Sequence, residues 1–396
     1  MELGFVGKPN VGKSTLFSAV TLANAEIASY PFTTIDANRG VAYVRTECPH
    51  NEFETECNPK NSKCVNGTRY VPVKAIDVAG LVPDAHLGKG LGNKFLDDVR
   101  QAEALIHIID ASGGTDLEGN PCDVGIHNPL EDVKFLEKEI TQWMKSIMFK
   151  DWHRQSRKVE LDGKKVERVL AANLSGLGVT ENHIIPALRG LDLSEKASKW
   201  SEEELVEIAD RIRSYSKPII IAANKSDLAP PENIKCLQEL KDYIVIPTCA
   251  EAELALRRAS NANLVDYEPG SESFKIIDES KLNDKQLNGL KKISEILETN
   301  HGTGVQQCIE EAVFKLLDRI VIYPVEDEHK LTDHDGNVLP DVYLMPRGAN
   351  AKDLAFKVHT DLGEKFIRAI DARTKRVIGA DHELKNMDII KIVSNV

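Results

Sequence analysis

Residues 7–15 of this chain read GKPNVGKST, which fits the pattern G-x-x-x-x-G-K-S with Gly7, Gly12, Lys13 and Ser14 at its fixed positions. The apolar stretch LGFV precedes this segment, and STLFSAVTLA, with helix-compatible apolar spacing, follows it. A loop between a strand and a helix turns its backbone N–H groups onto phosphate oxygens, and the helix N-terminus adds a favourable dipole. The segment therefore predicts an α/β fold with a phosphate-binding loop at the carboxyl edge of a parallel sheet.

The residues of this loop are the first predicted nucleotide contacts: Gly7, Lys8, Pro9, Asn10, Val11, Gly12, Lys13, Ser14 and Thr15. Lys13 is expected to contact the β- and γ-phosphates and the transition state, and Ser14 is expected to ligate magnesium. The loop by itself does not select a base.

A second stretch, IIIAANKSDL at residues 219–228, predicts the base. Its β-branched strand ends in N-K-x-D, formed by Asn224, Lys225 and Asp227. Asp227 can accept paired hydrogen bonds from guanine N1–H and the N2 amine, whereas adenine offers no such pair of donors. Lys225 can lie along the purine face, and Asn224 can tie this loop to the phosphate loop. The stretch therefore predicts GTP rather than ATP.

Two further stretches lie between these anchors. VKAIDVAGL is a predicted strand that ends in Asp77-x-x-Gly80, where Asp77 can hold a magnesium-bound water and the Gly80 N–H can contact the γ-phosphate. SYPFTTID supplies Thr33 and Thr34, either of which can complete the magnesium shell. Loops of this kind are ordered by the γ-phosphate and released when it is lost.

A third predicted strand, in IVIPTCAE, ends at Thr248, Cys249 and Ala250, whose backbone can contact guanine O6. Each element is weak evidence alone. Their order along the chain, with predicted strands in the right places, is typical of a nucleotide switch.

Together these stretches resemble the Obg-like family of P-loop GTPases, nearest to its YchF-type branch. The resemblance rests on GKPNVGKST, YPFTTID, DVAGLVPDAHLGKGLGNKFLDDVRQAEALIHIIDAS and NKSD, and the segment from LPDVYLMPRGANAKDL to NMDIIKIV resembles a TGS domain. It implies a Ras-like core and makes Thr34 the second protein ligand of magnesium beside Ser14. Better-known YchF-type members replace the N-K-x-D lysine and aspartate and prefer ATP. This chain retains Asn224, Lys225 and Asp227, so GTP remains the expected nucleotide.

The residue that activates water is the least defined part of the predicted site. Ras-like GTPases place a glutamine after D-x-x-G, whereas this chain has Leu81, and the resemblance to Obg-like proteins agrees with a hydrophobic residue at that position. Intrinsic turnover is therefore expected to be slow, with help from another group, a partner or a cation. Asn10 can assist potassium binding, as in some potassium-activated relatives, or only shape its loop. His86 and His127 can position water, although solvated loop histidines are the default expectation.

The remaining patterns predict three domains. The GTP-binding core is expected at 1–126 and 217–320, interrupted by a mainly helical insertion at 127–216 that contains two amphipathic stretches. A locally basic part of the insertion surrounds Trp152, where RNA contact is the alternative to a solvated helical face. Short strands around one helix predict a small α+β domain at 321–396, which the resemblance specifies as a TGS-like β-grasp.

Charge and hydropathy limit the partners. A formal net charge of -12 disfavours indiscriminate binding to polyanions. The best candidate for a surface that faces RNA or the ribosome is KFIRAIDARTKR, with Lys365, Arg368, Arg373, Lys375 and Arg376. No apolar run approaches the roughly 18 residues of a membrane span. The first residues lead straight into the phosphate loop without a signal-peptide pattern, so a cytoplasmic protein is predicted.

The seven cysteines are irregularly spaced and do not indicate a secreted disulfide framework. The segment CPHNEFETECNPKNSKC contains Cys48, His50, Cys57 and Cys64, a possible set of zinc ligands. It lacks a C-x-x-C pair, so ordinary free thiols are expected, with zinc as the alternative and a Cys57–Cys64 bridge as a minor option.

The combined prediction is a magnesium-dependent GTPase with slow intrinsic turnover that acts as a molecular switch associated with ribosomes or translation. One alternative is a regulatory binding module in which hydrolysis is incidental. A P-loop kinase or ATPase is the less favoured alternative, because N-K-x-D opposes it.

Overall fold

The computed structural model describes residues 1–22, 38–53, 55–80 and 92–395. The strands are β1 (Glu2–Val6), β2 (Arg39–Glu47), β3 (Lys63–Val65), β4 (Thr68–Asp77), β5 (Ala104–Asp110), β6 (Ile219–Asn224), β7 (Ile244–Pro247), β8 (Val265–Asp266), β9 (Lys275–Ile276), β10 (Arg319–Val325), β11 (Tyr343–Pro346), β12 (Phe366–Asp371), β13 (Val377–Ile378) and β14 (Ile389–Ser394).

The α-helices are α1 (Lys13–Thr21), α2 (Gly92–Gln101), α3 (Pro129–Met148), α4 (Trp152–Asp162), α5 (Val166–Leu174), α6 (Glu181–Leu188), α7 (Glu202–Ser216), α8 (Pro231–Gln238), α9 (Ala250–Asn261), α10 (Asp284–Asn300), α11 (Val305–Glu311), α12 (Ala351–Val358) and α13 (Thr360–Glu364). A π-helical segment, Ala312–Leu316, follows α11.

The chain forms two compact units. The larger contains residues 2–19 and 75–308, and the smaller contains Met1 with residues 20–74 and 309–396. The predicted helical insertion lies wholly within the larger unit, whereas residues 20–74 group with the C-terminal segment. The three predicted domain boundaries therefore remain a proposal, because contacts and sequence patterns divide the chain differently.

The larger unit is built on a parallel sheet. Its strand order runs from the Ala75–Asp77 end of β4 through β1, β5 and β6 to β7, and β5 pairs in parallel with both β1 and β6. The apolar strands ALIHIID and IIIAAN are buried along their whole length, as expected where helices cover both faces of a sheet. The register aligns Asp110 with Asn224 at the carboxyl ends of β5 and β6. The predicted α/β core is confirmed.

The amphipathic stretches of the predicted insertion form helices. The Asn128 side chain accepts a hydrogen bond from Leu130 N at the start of α3, and Ser201 and Glu204 form a capping box at α7. Trp152 is buried; its ring stacks on Trp200 with centroids 5.5 Å apart. It is therefore part of the core and not an exposed base-stacking residue.

The smaller unit contains a mixed sheet with the order β11-β10-β14-β12-β13. β14 pairs in parallel with β10 and antiparallel with β12. Leu354 of α12 packs with Ile320, Ile322 and Ile390 in a common apolar core. The short strands confirm the predicted α+β module. The single predicted helix is divided at His359, whose extended backbone separates α12 from α13.

The helical segment that begins with α11 ends at Leu316. Asp318, which has a positive φ of 45°, precedes β10. No helix in the described ranges has the length and apolar character that crossing a bilayer requires.

Candidate nucleotide-binding site

The predicted phosphate loop joins β1 to α1 and borders a cavity of about 530 Å³. The other wall comes from the segments after β6 and β7. The lining residues are Lys8, Pro9, Asn10, Gly12, Lys13, Ser14, Thr15, Asn224, Lys225, Asp227, Leu228, Cys249, Ala250 and Glu251. Gly7, Val11 and Thr248 do not line it, so their predicted nucleotide contacts remain predictions.

Two glycines are required by the close packing of the loop. Gly12 has a φ of 93°, and a Cβ there would lie 2.3 Å from Asn224 Nδ2. A Cβ on Gly7 would lie 2.6 Å from the Ile108 carbonyl oxygen of β5. Neither position accepts a larger residue without backbone movement.

Asn224 links both walls of the cavity. Its Nδ2 donates to the Val11 carbonyl at 2.8 Å. Its Oδ1 accepts from the Ala250 amide at 3.0 Å and lies 3.4 Å from the Thr248 hydroxyl donor. One buried amide therefore joins the phosphate loop to the segment after β7, which is the link that the N-K-x-D pattern predicts.

Lys225 is held by a fully buried carboxylate. It adopts a left-handed φ of 58°, and its Nζ lies 2.7 Å from Asp110 Oδ2. Asp110 also accepts from the Ser112 amide at 3.1 Å and from the Thr115 hydroxyl at 3.1 Å. These bonds fix the lysine stem along the cavity wall, where a purine face can pack on it.

Asp227 is exposed at the cavity wall, so a base can reach its carboxylate. The Cys249 thiol donates to Asp227 Oδ1 at 3.2 Å. Burial, with a smaller contribution from Asp227, raises the pKa of Cys249 to about 12. The thiol therefore stays protonated and orients the carboxylate at neutral pH.

The backbone amides predicted to contact guanine O6 all have acceptors within the protein. Thr248 N donates to the Ala223 carbonyl at 2.9 Å, and Cys249 N donates to the Thr303 carbonyl at 2.9 Å. Ala250 N donates to Asn224 Oδ1. A contact with guanine O6 remains a prediction. It requires one of these amides to donate to O6 either in addition to its present acceptor or in place of it.

Lys13 and Asp77 form an ion pair at the phosphate end of the cavity. Asp77 ends β4, and Ser14 follows Lys13 in the first turn of α1. This pair places an acidic oxygen beside the helix turn that carries the serine hydroxyl. A Cβ on Gly80 would lie 3.8 Å from Pro9 Cγ, so the D-x-x-G segment also borders the loop. Thr33, Thr34, Leu81 and His86 lie outside the described residues.

Lys8 lines the cavity, and its predicted nucleotide contact remains a prediction. Its side chain is 2% exposed, and its Nζ contacts Asp132 at 2.9 Å and the Thr115 carbonyl at 3.0 Å. The ammonium group is therefore committed to α3, which leaves the backbone of Lys8 as the part that faces the cavity. Burial raises the pKa of Asp132, while Lys8 and His127 oppose the shift.

His127 differs from the default expectation of a solvated loop histidine. It is buried, not solvated, and its Nε2 lies 2.8 Å from Asp132 Oδ1. The pairing makes it a structural partner of the Lys8–Asp132 ion pair. The imidazole is thus engaged within the protein and is a poor candidate for orienting water.

The segment between β5 and α3 braces the phosphate loop, a role that sequence reasoning missed. Asn10 Nδ2 donates to the Gly119 carbonyl at 2.9 Å. Gly119 has a φ of 88°, and a Cβ there would lie 2.7 Å from the Pro9 carbonyl oxygen. The glycines in SGGTDLEGNP were the available signal, because closely spaced glycines often mark tight backbone approach.

Comparisons with known proteins agree with this geometry. Residues 2–150 match a family model described as a 50S ribosome-binding GTPase. Residues 222–327 match the G4 motif-containing domain of YGR210-like Obg-like GTPases, and residues 331–394 match a TGS domain.

Full-length relatives extend the match to the whole chain. The GTP-binding protein MJ1332 of Methanocaldococcus jannaschii is 54% identical, and the alignment covers 99% of this chain and 98% of that protein. The ribosome-binding ATPase YchF of Escherichia coli O157:H7 is 28% identical, with 100% and 99% covered. The crystal structure of a GTP binding protein from Pyrococcus horikoshii OT3 is 44% identical, covers 100% of both chains and has a TM-score of 0.79. The phosphate loop, the N-K-x-D loop and these relatives together place the chain in the Obg-like family of P-loop GTPases, with a TGS domain at its C-terminus.

Proposed function

We propose that this chain hydrolyses GTP with magnesium and acts as a molecular switch. The observation that carries the proposal is the single cavity that has the phosphate loop on one side and Asp227 exposed on the other. Guanine supplies two donors to this carboxylate, whereas adenine leaves it without that pair. The aliphatic part of the Lys225 side chain, whose Nζ is fixed by Asp110, would pack against the face of the purine.

The phosphate end suits a magnesium nucleotide. The Ser14 hydroxyl and the Asp77 carboxylate are hard oxygen donors of the kind that magnesium prefers. Ser14 would ligate the ion directly with Thr34, and Asp77 would hold it through water. Lys13, now paired with Asp77, would move to the β- and γ-phosphates, and the Gly80 amide would contact the γ-phosphate. Magnesium would supply charge neutralisation at the phosphates.

Nucleotide competition tests the choice of base. Displacement of a fluorescent GDP should give at least a ~100-fold preference for GTP over ATP, because a site built for paired hydrogen bonds rejects a ligand that lacks them. Asp227→Asn should weaken the binding of GTP and strengthen the binding of XTP. Xanthine has a carbonyl where guanine has its N2 amine, and this carbonyl can accept a hydrogen bond from the new amide. Asp242→Asn, at an exposed carboxylate outside the cavity, is the matched control. Tighter binding of ATP than GTP by the unchanged chain would restore the ATPase alternative.

We propose that potassium accelerates hydrolysis through Asn10. The side-chain nitrogen donates to the Gly119 carbonyl, which leaves the amide oxygen as the part of this side chain that can bind a cation. Rates in potassium should exceed rates in sodium, and Asn10→Ala should remove the difference. Equal rates in the two salts would rule the cation out.

We propose that the TGS domain contributes to ribosome binding. The YchF relative bears the name ribosome-binding ATPase. Of the five predicted cations, Arg373 contacts Glu52 at 2.8 Å and Lys375 donates to the Glu328 carbonyl. Lys365, Arg368 and Arg376 are exposed, and they are the cations proposed to contact the ribosome.

A salt-controlled ribosome pull-down tests this association. The chain should be retained with a non-hydrolysable GTP analogue and released with GDP, and glutamate replacement of Lys365, Arg368 and Arg376 should reduce retention. Lys138→Glu, Lys241→Glu and Lys291→Glu, at exposed lysines outside this domain and outside the basic part of the insertion, provide a charge-matched control. Equal retention in both nucleotides, with hydrolysis unaffected by ribosomes, would favour the regulatory-module alternative.

A further inference from the structure

We propose that Cys48, His50, Cys57 and Cys64 form a structural zinc site that links the Pro49–Glu52 turn to β3. All four belong to the smaller unit. Their ligand atoms lie within 4.8 Å of one another, although their sequence spacing contains no C-x-x-C pair. The fold therefore assembles a Cys₃His set that the spacing alone did not favour.

Three of the six distances between ligand atoms lie within about 0.4 Å of the edges expected for a zinc tetrahedron. Zinc–sulfur bonds of about 2.3 Å and zinc–nitrogen bonds of about 2.0–2.1 Å imply sulfur–sulfur edges of about 3.8 Å and sulfur–nitrogen edges of about 3.6 Å. Cys48 Sγ lies 3.7 Å from Cys57 Sγ. His50 Nδ1 lies 3.2 Å from Cys57 Sγ and 3.5 Å from Cys64 Sγ. The atoms are thus spaced as ligands around one central ion.

Regular structure positions three of the four ligands. Cys48 precedes a 3₁₀ turn, Pro49–Glu52, which carries His50, and the Cys48 amide donates to the Gly67 carbonyl at 2.8 Å. Cys64 lies in β3, where it pairs with Arg69 of β4. Cys57 alone comes from the connecting segment. The hairpin and the turn therefore present their ligands before any ion binds.

Charge supports the same assignment. Zinc with three thiolates and a neutral imidazole carries a net charge of -1. The guanidinium of Arg69 is fully buried, and its Nη1 lies 4.0 Å from Cys57 Sγ. Within the described part of the chain, no carboxylate oxygen comes within salt-bridge distance of this guanidinium; Asp341 attracts it from farther away. The thiolate-rich site would supply the nearest compensating charge.

Chemistry favours zinc over a disulfide. A disulfide places its sulfurs about 2.0 Å apart, much closer than Cys48 and Cys57, and would use only two of the three thiols. Soft thiolates with imidazole favour zinc, and four protein ligands close the coordination shell as structural sites require.

The ion would stabilise a docking segment. Cys57 and Cys64 flank residues 58–61, which bond to the C-terminal part of the same unit. Asn58 N donates to the Val338 carbonyl at 3.1 Å, and Asn61 Oδ1 accepts from Val342 N at 3.0 Å. An ion bound by Cys57 and Cys64 would hold both ends of this loop, and the loop would then lose less conformational entropy when it docks.

Metal analysis of the full-length chain tests the site. Protein purified under reducing conditions without chelator should contain about one zinc per chain, as expected for one closed tetrahedral site. Cys57→Ser and Cys64→Ser should lose it. Cys236→Ser, at an exposed cysteine of α8, is the matched control and should retain it. His50→Ala should lose zinc and His50→Cys should restore it.

A second measurement does not depend on the folding of variants. Cobalt added to the metal-depleted, reduced wild-type chain should give the ligand-field bands of a tetrahedral thiolate site. Protein that holds no zinc and binds neither zinc nor cobalt would overturn the proposal. A Cys48–Cys57 disulfide found in protein kept reduced would also overturn it.

Hydrogen exchange tests the role of the ion. Zinc removal should accelerate exchange at the amides of Asn58, Lys60, Val338 and Val342, while GTP affinity is measured in parallel as an independent readout of the nucleotide site. Unchanged exchange at these amides would overturn the docking role.

Discussion

The nucleotide cavity and the Cys48–Cys64 segment are stabilised in different ways. Around the cavity, buried side chains bond to other side chains and to the backbone, as in the Lys8–Asp132 pair and the Asn224 link to the Val11 carbonyl. Around the cysteine cluster, many polar contacts are exposed: Lys60 is 45% exposed beside Asp333, and Glu52 is 49% exposed beside Arg373. Buried pairs are costly to break, whereas exposed pairs contribute little. The second region therefore gains most from a cross-link such as zinc.

The largest expected effect is at the buried pair beside the phosphate loop. Asp132→Ala should lower the free energy of unfolding by about 3–5 kcal/mol, because it leaves the Lys8 ammonium buried without its carboxylate. Urea unfolding measures the loss. Glu131→Ala, at the exposed neighbour on the same helix, is the control. Joint replacement, Lys8→Met with Asp132→Leu, should recover much of the lost stability. If Asp132→Ala lowers the free energy of unfolding by less than about 1 kcal/mol, the buried pair is no more stabilising than an exposed one.

Gly12→Ala should weaken GTP binding ~100-fold, because a positive φ and a clash with Asn224 Nδ2 both oppose the native loop. Titration with fluorescent GTP measures the change. Gly289→Ala, in α10 with open space around the added Cβ, should leave affinity unchanged. Normal affinity of Gly12→Ala would mean that the loop relaxes more easily than its packing indicates.

The pH dependence of stability tests burial in the central sheet. Burial, with the nearby charge of Lys8, lowers the pKa of His107 from 6.5 to about 3. The unfolded chain binds this proton below pH 6.5 while the folded chain does not, so stability is lost as pH falls from 6.5 towards 3. His107→Leu should reduce the slope by about 1 kcal/mol per pH unit. Parallel profiles for the two proteins, measured by urea unfolding, would contradict this assignment.

The smallest expected effect belongs to the cysteine region. Glu52→Gln should cost less than about 1 kcal/mol, because its ion pair with Arg373 is largely solvent-exposed. Cys64→Ser should lower the free energy of unfolding by more, because it removes a ligand of the proposed zinc site. Thermal unfolding of both variants sharpens the comparison; an equal loss would show that polar contacts and not the ion hold the segment.

The two regions also differ in how far the sequence predicts them. The phosphate loop is contiguous, and its glycines and lysine have fixed local roles, so the α/β core and the main cavity residues follow from spacing. The burial of the Lys8 ammonium against Asp132 does not, because it depends on how α3 packs. The same holds for His127 and for the brace at Gly119. The cysteine cluster depends on the pairing of β3 with β4, which irregular ligand spacing does not reveal.

The pairing of residues 58–61 with 338–342 has a further consequence. Asn58 Oδ1 accepts from Val338 N, and Asn61 bonds to both the amide and the carbonyl of Val342. Two asparagines thus bond to a backbone much as a neighbouring strand would. A shift of residues 58–61 by one position against residues 338–342 would break these hydrogen bonds together, so a partly shifted alignment keeps none of their stabilisation. The segment can dock in one register, and a variant with one residue inserted between Asn58 and Asn61 would lose the alignment as a whole.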